Sequence, residues 1–261
     1  MERGMMRELW AYRELVYFLA WRDVKVRYKQ TVLGVLWAVI QPFFTMVVFT
    51  LLFGQLAKIP TDGIPGPIFY FSALVPWIYF SSTFTNAGMS LVASSGLLTK
   101  IYFPRVILPA AAALGNLMDF LISSVFLIGF IVYYKIPLGW NLLLWPALVV
   151  LLMLLSVSLG AFFAALNVKY RDIKYVIPFL IQLLMFATPI IYPASMVPER
   201  FQWLLALNPL SGLIEAFRYV VVPSHDLDWN HLMLSVVITG ALFVTSVVYF
   251  KSAEKDFADL A

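Results

Sequence analysis

The sequence has no cysteine and only two histidines, and just 12% of its 261 residues are charged. Without cysteine there is no disulfide, no thiol nucleophile and no thiolate metal site. An average soluble domain is about 25% charged. A chain that is 62% hydrophobic, with a mean hydropathy of +0.88, cannot cover a water-facing surface. Most of its exterior should therefore face lipid. The motif G-x-x-x-x-G-K-[ST] is absent, so this chain does not cradle ATP as a P-loop does. The first long apolar run begins near Leu33, too far in for a signal-peptide core, and no cleaved targeting segment is expected.

What is present is apolar length. A helix needs about 20 apolar residues to cross the hydrocarbon core. Six stretches qualify as candidates: Leu33–Leu56, Phe69–Ala93, Val106–Tyr134, Leu142–Leu166, Val176–Tyr192 and Leu232–Phe250. The fold class expected is thus all-α integral membrane with six transmembrane helices. Residues 1–32 form a cytoplasmic interface segment, 33–250 the six-span domain and 251–261 a cytoplasmic tail. Orientation follows from Lys and Arg, which accumulate on the cytoplasmic side. Seven precede the first span, and Lys100, Arg105, Lys169, Arg171, Lys174, Lys251 and Lys255 fall on the same side. Only Lys58, Lys135, Arg200 and Arg218 fall opposite. Both termini are therefore expected in the cytoplasm of a multi-pass protein of the inner (plasma) membrane. The pI near 9.2 does not point to nucleic acid, because the basic residues sit beside apolar runs, as they do when they meet anionic lipid.

In the segment before span one, Tyr17, Trp21, Val24 and Tyr28 are spaced by 4, 3 and 4, one stripe of a helix. Arg22, Lys25 and Lys29 lie largely off that stripe. The pattern is that of an amphipathic helix along the membrane surface, aromatics at the acyl boundary and cations at headgroups. It fits a plain positive-inside anchor more simply than the sharper alternative, a lever that carries force from a cytoplasmic partner into span one. Gln30-Thr31 and Leu33-Gly34 mark the bend into the span.

Asp119 lies near the middle of span three, with Asn116 one turn earlier. A carboxylate at that depth costs several kcal/mol unless neutralised or hydrogen-bonded, and is a functional candidate by default. No basic residue lies at a matching depth in another span. A protonated or Asn-bonded carboxyl between helices is therefore expected, without a salt bridge. Span two, "FYFSALVPWIYFSSTFTNAG", is unusually polar, which suits a bundle interior or an aqueous path. Its Trp77, Phe80 and Phe84 lie near one face with Phe69. The connection from Pro193 to His231 is long and partly apolar. Its stretch "FQWLLALNPLSGLIEAFRYVVV" reads as two short re-entrant helices broken at Asn208-Pro209, with Glu215 and Arg218 able to pair three residues apart.

"LAWRDVKVRYKQTVLGVLWAVIQP" resembles the entry segment of ABC-2 type permeases that export polysaccharides, the membrane subunits of O-antigen, capsule and teichoic-acid exporters. "LLTKIYFPRVILP", "NVKYRDIKYVIPFLIQLLMFATPIIYP", "LNPLSGLIEAFRYVV" and "FKSAEKDFADLA" resemble the same family in the same order, so the likeness runs from about Leu15 to Leu260.

The resemblance implies a homodimer that moves a lipid-linked glycan, each subunit docked to a separate ABC ATPase that binds ATP and Mg. No cofactor and no metal is expected in this chain, and it is not expected to be an enzyme. The implied ATPase contacts are Arg22, Lys25 and Lys29, with Lys100, Tyr102, Phe103 and Arg105 after span two. Leu33 and Gly34 would form the bend of a lateral gate. The implied export path lies at the dimer interface, with lateral openings at spans one and five. Candidate liners are Trp37, Phe43, Phe44, Trp77, Phe80, Phe84, Phe179, Gln182, Phe186 and Tyr192, because sugar C–H faces stack on rings while Tyr and Trp offer polar tips. Glu215 and Arg218 would belong to an outer cap. Other readings are an ABC-2 exporter of lipid or drug and an intramembrane enzyme. The run His225-Asp226-x-Asp228-x-x-His231 reads more simply as a solvated loop than as a metal site. An ion channel is disfavoured because no span carries a series of charges.

Overall fold

A computed structural model of the chain describes residues 10–29, 31–98, 103–137, 139–222 and 227–254. Among them the regular elements are all helical. Helix α1 is Arg13–Tyr28 and α2 is Trp37–Phe49, the latter entered by a 3-10 turn and continued by a π-helical stretch, Thr50–Leu56. Then come α3 (Gly66–Ala93), α4 (Ile107–Tyr133), α5 (Trp145–Lys169) and α6 (Ile173–Ala187). The last three are α7 (Glu199–Leu207), α8 (Pro209–Val221) and α9 (Trp229–Glu254).

Four helical stretches among the described residues are long and apolar enough to cross a membrane: Gly34–Leu56, Ile107–Tyr133, Trp140–Lys169 and Trp229–Glu254. The pair α7–α8, bent by 96°, makes a fifth if taken as one broken span. The break has a local cause. Pro209 opens α8, and Asn208 caps it by accepting from the Leu210 N–H at 3.1 Å. The two remaining candidates from the sequence stand apart for different reasons. Helix α3 has 28 residues, but its run of Ser, Thr and Asn dilutes its apolarity. Helix α6 has 15 residues, about 22 Å at 1.5 Å per residue, short of a hydrocarbon core of about 30 Å.

Helix α3 is the axis of the bundle. From Ile68 to Trp77 it is buried on every side, which is the condition of a helix enclosed by others rather than facing a solvent. Helices α4 and α5 pack along it most extensively, and α2, α6 and α8 complete the shell. The approach of α5 needs a missing side chain: a Cβ on Gly160 would sit 2.4 Å from the Ala87 Cβ. Small residues that let helix backbones close up are the usual means of packing where lipid offers no hydrophobic drive.

Among the described residues two clusters fill the interior. One is rich in aromatics and surrounds the first half of α3, α8 and Phe120. The other is built from small and aliphatic residues, where Val16, Leu19 and Ala20 of α1 meet Ile107, Leu108 and Ala111 of α4. Its members Ala161, Ala164 and Ala165 bring in α5, and Phe250 brings in α9.

Pro42 lies inside α2 and has no N–H to give to the Ala38 carbonyl, one turn earlier. Ser123 of α4 supplies the missing donor, its hydroxyl reaching the Ala38 carbonyl at 2.7 Å. The proline thus becomes a bond between two helices, as tolerated prolines in lipid require.

Candidate functional site

The site is assembled where α1 leaves its helix and α2 begins. The face of α1 that docks on α4 is Val16, Leu19 and Ala20, followed by half-buried Asp23 and Arg27. The aromatic stripe behaves differently. Tyr17 and Trp21 are exposed, and Val24 and Tyr28 are half-buried. Bulk explains the offset. Gly115 of α4 lies against the Ala20 carbonyl, and the Ala20 side chain is buried there.

This docking carries Arg27 and Tyr28 to Asp119, and the expectation that Asp119 has no salt bridge is corrected. Arg27 Nη1 forms an ion pair with one Asp119 oxygen, and the Tyr28 hydroxyl donates to the other. Arg27 Nη2 donates to Asn116 Oδ1 at 2.7 Å. Asn86 of α3 donates to the same oxygen at 3.1 Å, and Asn116 Nδ2 donates to Thr83 Oγ1 at 3.3 Å. The cation comes from the segment before span one, 92 residues away in sequence, so no search among the spans finds it. The available signal is a second, less bulky stripe on α1 facing the small residues Ala111, Ala112 and Gly115. Burial, and next the hydrogen bond to Asp119, push the Tyr28 hydroxyl up to about 12. It therefore stays protonated at neutral pH and remains a donor.

The network is not sealed. The Arg27 and Asp119 side chains keep 32% and 26% of their exposure. Both line a cavity of about 290 Å3, with Trp37 and Tyr28, and a more open one of about 610 Å3 that also touches Pro178 and Ile181 of α6.

The other aromatic liners divide. Trp37, Phe44, Phe179 and Phe186 are exposed, as is Gln182, and Phe43 stacks on Phe130 at 6.5 Å between centroids. Tyr192 is half-buried and donates to the Phe186 carbonyl at 3.0 Å. Trp77, Phe80 and Phe84 are corrected: they are buried in the core, tilted on one another at 5.7 and 5.8 Å, and present no surface to a ligand in this chain.

Of the expected ATPase contacts, Arg22 is exposed and bonded to Asp23, Lys25 lies over the Trp21 ring and Lys29 is exposed. Phe103 is buried beside Val106, so its ring anchors the connection and is not offered to a partner. Arg105 bonds Glu254 at the end of α9, through its backbone N–H and through Nη1. Lys100 and Tyr102 lie outside the described residues, as does the tail beyond Glu254. Between α1 and α2, Leu33 is exposed and Gly34 has φ +52°, a left-handed backbone that favours glycine.

At the α8 end, Arg218 is fully buried. It donates to Glu215 at 2.7 Å and to the Ile190 carbonyl at 3.0 Å, and lies 3.8 Å from the centre of the Phe69 ring. In the 225–231 run, His225 and Asp226 lie outside the described residues. Asp228 accepts from the backbone of Asn230 and His231 and caps α9.

The architecture defines a helical, multi-pass membrane protein whose amphipathic N-terminal helix is latched to the spanning bundle. The chain belongs to the ABC-2 type transporter membrane family, whose profile matches residues 14–222. It is 31% identical over 259 residues to the O-antigen export system permease protein RfbA of Myxococcus xanthus, covering 98% of each chain. An O-antigen export system permease protein RfbA of Klebsiella pneumoniae is 26% identical over 251 residues, 95% of each. The polysialic acid transport protein KpsM of Escherichia coli is 25% identical over 238 residues, 87% of this chain and 89% of that one.

Proposed function

We propose that this chain is the permease subunit of an ABC exporter that moves a lipid-linked polysaccharide of the O-antigen kind across the inner membrane. A separate ATPase subunit supplies the energy. The observation that carries the reading is collinearity: the chain and the Myxococcus permease align over 98% of both lengths. The lack of a P-loop motif supports a separate ATPase.

In this reading the chain is a homodimer and crosses the membrane six times, through α2, α3, α4, α5, α6 and α9. Helix α3 crosses inside the bundle, sheltered by its neighbours, and the short α6 is extended by the residues up to Tyr192. The pair α7–α8 is re-entrant at the outer face. Both termini are cytoplasmic, and the exposed Arg22, Lys25 and Lys29 meet the ATPase. The ion pair from Arg27 to Asp119 bears on what α1 transmits. A helix fixed to α4 passes force into the middle of the bundle as well as into span one.

The test is export in cells lacking the chain. Surface glycan returns when the chain and its ATPase are both supplied, and the two co-purify. Return of glycan without any ATPase contradicts the reading. Reversing Arg22, Lys25 and Lys29 together leaves the protein in the membrane and abolishes export. Unchanged export reduces α1 to an anchor.

A further inference from the structure

Helix α9 runs from Trp229 to Glu254 without a proline. That is about 39 Å at 1.5 Å per residue, longer than a hydrocarbon core of about 30 Å. Along its length α9 packs on α5 and α8. At Glu254, its last described residue, it also reaches the segment that leads into α4. The Arg105 backbone N–H donates to Glu254 Oε1 at 3.3 Å, and Arg105 Nη1 donates to the Glu254 carbonyl at 3.1 Å. The two bonds are crossed, main chain to side chain and side chain to main chain. A crossed clasp fixes an orientation as well as a distance. The helix ends favour these charges. The guanidinium meets the negative end of α9, and the carboxylate lies just ahead of Ile107, at the positive end of α4.

The clasp closes a packed unit. Phe103, Val106 and Ile107, on either side of Arg105, are buried in the same cluster as Phe250 of α9 and as Val16 and Leu19 of α1. The exposed side of α1 carries Arg22, Lys25 and Lys29. A displacement of α1, or of the connection between α3 and α4, therefore reaches α9 as well as α4. Nearer the other end of α9 the contact is close to the backbone: a Cβ on Gly212 of α8 would stand 2.7 Å from the His231 carbonyl oxygen. That crossing leaves little slack between α9 and α8. Arg105 and Glu254 themselves are only half-buried, at the rim of their cluster. Polar links near a surface add little to stability, so what this one adds is position.

We propose that Glu254 is a positioning residue that clasps α9 to the connection between α3 and α4, and that α9 is the strut carrying ATPase-driven movement from there to the α7–α8 pair. The proposal rests on the exporter reading, since it names a route by which the work of that ATPase crosses the bilayer. It is separate from the ion pair between Arg27 and Asp119, which ends in the middle of the bundle.

The full chain and its ATPase, reconstituted in proteoliposomes with lipid-linked glycan, test it. Glycan exported and ATP hydrolysed are measured on one sample, beside co-purification and a thermal melt. Glu254→Ala keeps the wild-type melting temperature, co-purification and ATP hydrolysis, but lowers glycan exported per ATP about tenfold. Glu254→Gln keeps an oxygen that accepts from the Arg105 N–H, and recovers most of that ratio. In an Arg105→Ala background, Glu254→Ala lowers the ratio by less than it does in the wild type. The chain has no cysteine, so Trp203→Cys on exposed α7 takes a single fluorescent label before the ATPase is added. ATP changes the emission of that label, and adding Glu254→Ala abolishes the change. An unchanged ratio in Glu254→Ala, a fall matched by the melt or by co-purification, or a label that still responds to ATP overturns the strut and spares the exporter. A wild-type chain that exports no glycan with its ATPase and ATP removes the exporter reading, and the strut with it.

Discussion

Among the described residues two arginine–carboxylate pairs lie within the packed helices, and they are built in opposite ways. Arg218 and Glu215 sit three residues apart on one helix, with exposures of 0% and 13%. Arg218 is closed off by the Phe69 ring and the Ile190 carbonyl. Arg27 and Asp119 come from helices 92 residues apart in sequence, are each a quarter to a third exposed, and line two cavities. The first pair is local, sealed and surrounded by aromatic core. The second is long-range, open and set beside Gln41 and Ser82, whose side chains make no hydrogen bond to another described residue. A sealed pair fixes one arrangement of helices. An open pair leaves its groups accessible to a ligand and its two helices separable.

The contrast sets the size of the effects. Arg218→Met should be the most damaging change, because it leaves the Glu215 carboxylate without its guanidinium and the Ile190 carbonyl without its donor. Breaking a buried pair from one side costs about 3–5 kcal/mol. A thermal melt of the purified protein should show the largest loss here. Replacing both partners, as Arg218→Met with Glu215→Leu, should recover much of it. An equal loss in the double variant would mean that the carbonyl contact matters more than the charge.

Arg27→Ala should cost less stability, about 1–3 kcal/mol, because water in the cavities can solvate the abandoned carboxylate. Its effect on export should exceed its effect on melting. Exchanging the two, Arg27→Asp with Asp119→Arg, should restore part of the export lost in either single variant. If the exchange restores nothing while each single variant melts normally, the pair is not a latch.

Gly160→Val tests a packing contact with no charge. A side chain there collides with Ala87, and overpacking costs about 1–3 kcal/mol, visible in the melt alone. The smallest effect belongs to Ser123→Ala, which strands the Ala38 carbonyl beside Pro42 for about 1 kcal/mol. Adding Pro42→Ala gives that carbonyl an N–H from its own helix, so the double variant should melt above the single one.

Much of this architecture is legible in the sequence. Apolar runs long enough for lipid give most of the helices, because one physical requirement, length, sets them. The Asn208-Pro209 break and the Glu215–Arg218 spacing are local rules, and the helices follow them. What is not legible is non-local. Arg27 has no apolar run around it to signal that it meets Asp119, and the docking face of α1 is hidden because Ala20 is less conspicuous than Trp21. Trp77, Phe80 and Phe84 form a face in the sequence, but α3 is enclosed on all sides, so facing has no consequence there. For the same reason the polarity of α3 marks a bundle interior more than a path.

The most direct measurement is transport in sealed proteoliposomes containing the purified chain and lipid-linked glycan, with and without the partner ATPase. The glycan should become accessible on the far side only when the ATPase and ATP are both present, and the Lys and Arg face of α1 should be intact for it to do so. Movement of glycan by the chain alone, at the rate seen with ATPase and ATP, contradicts the account.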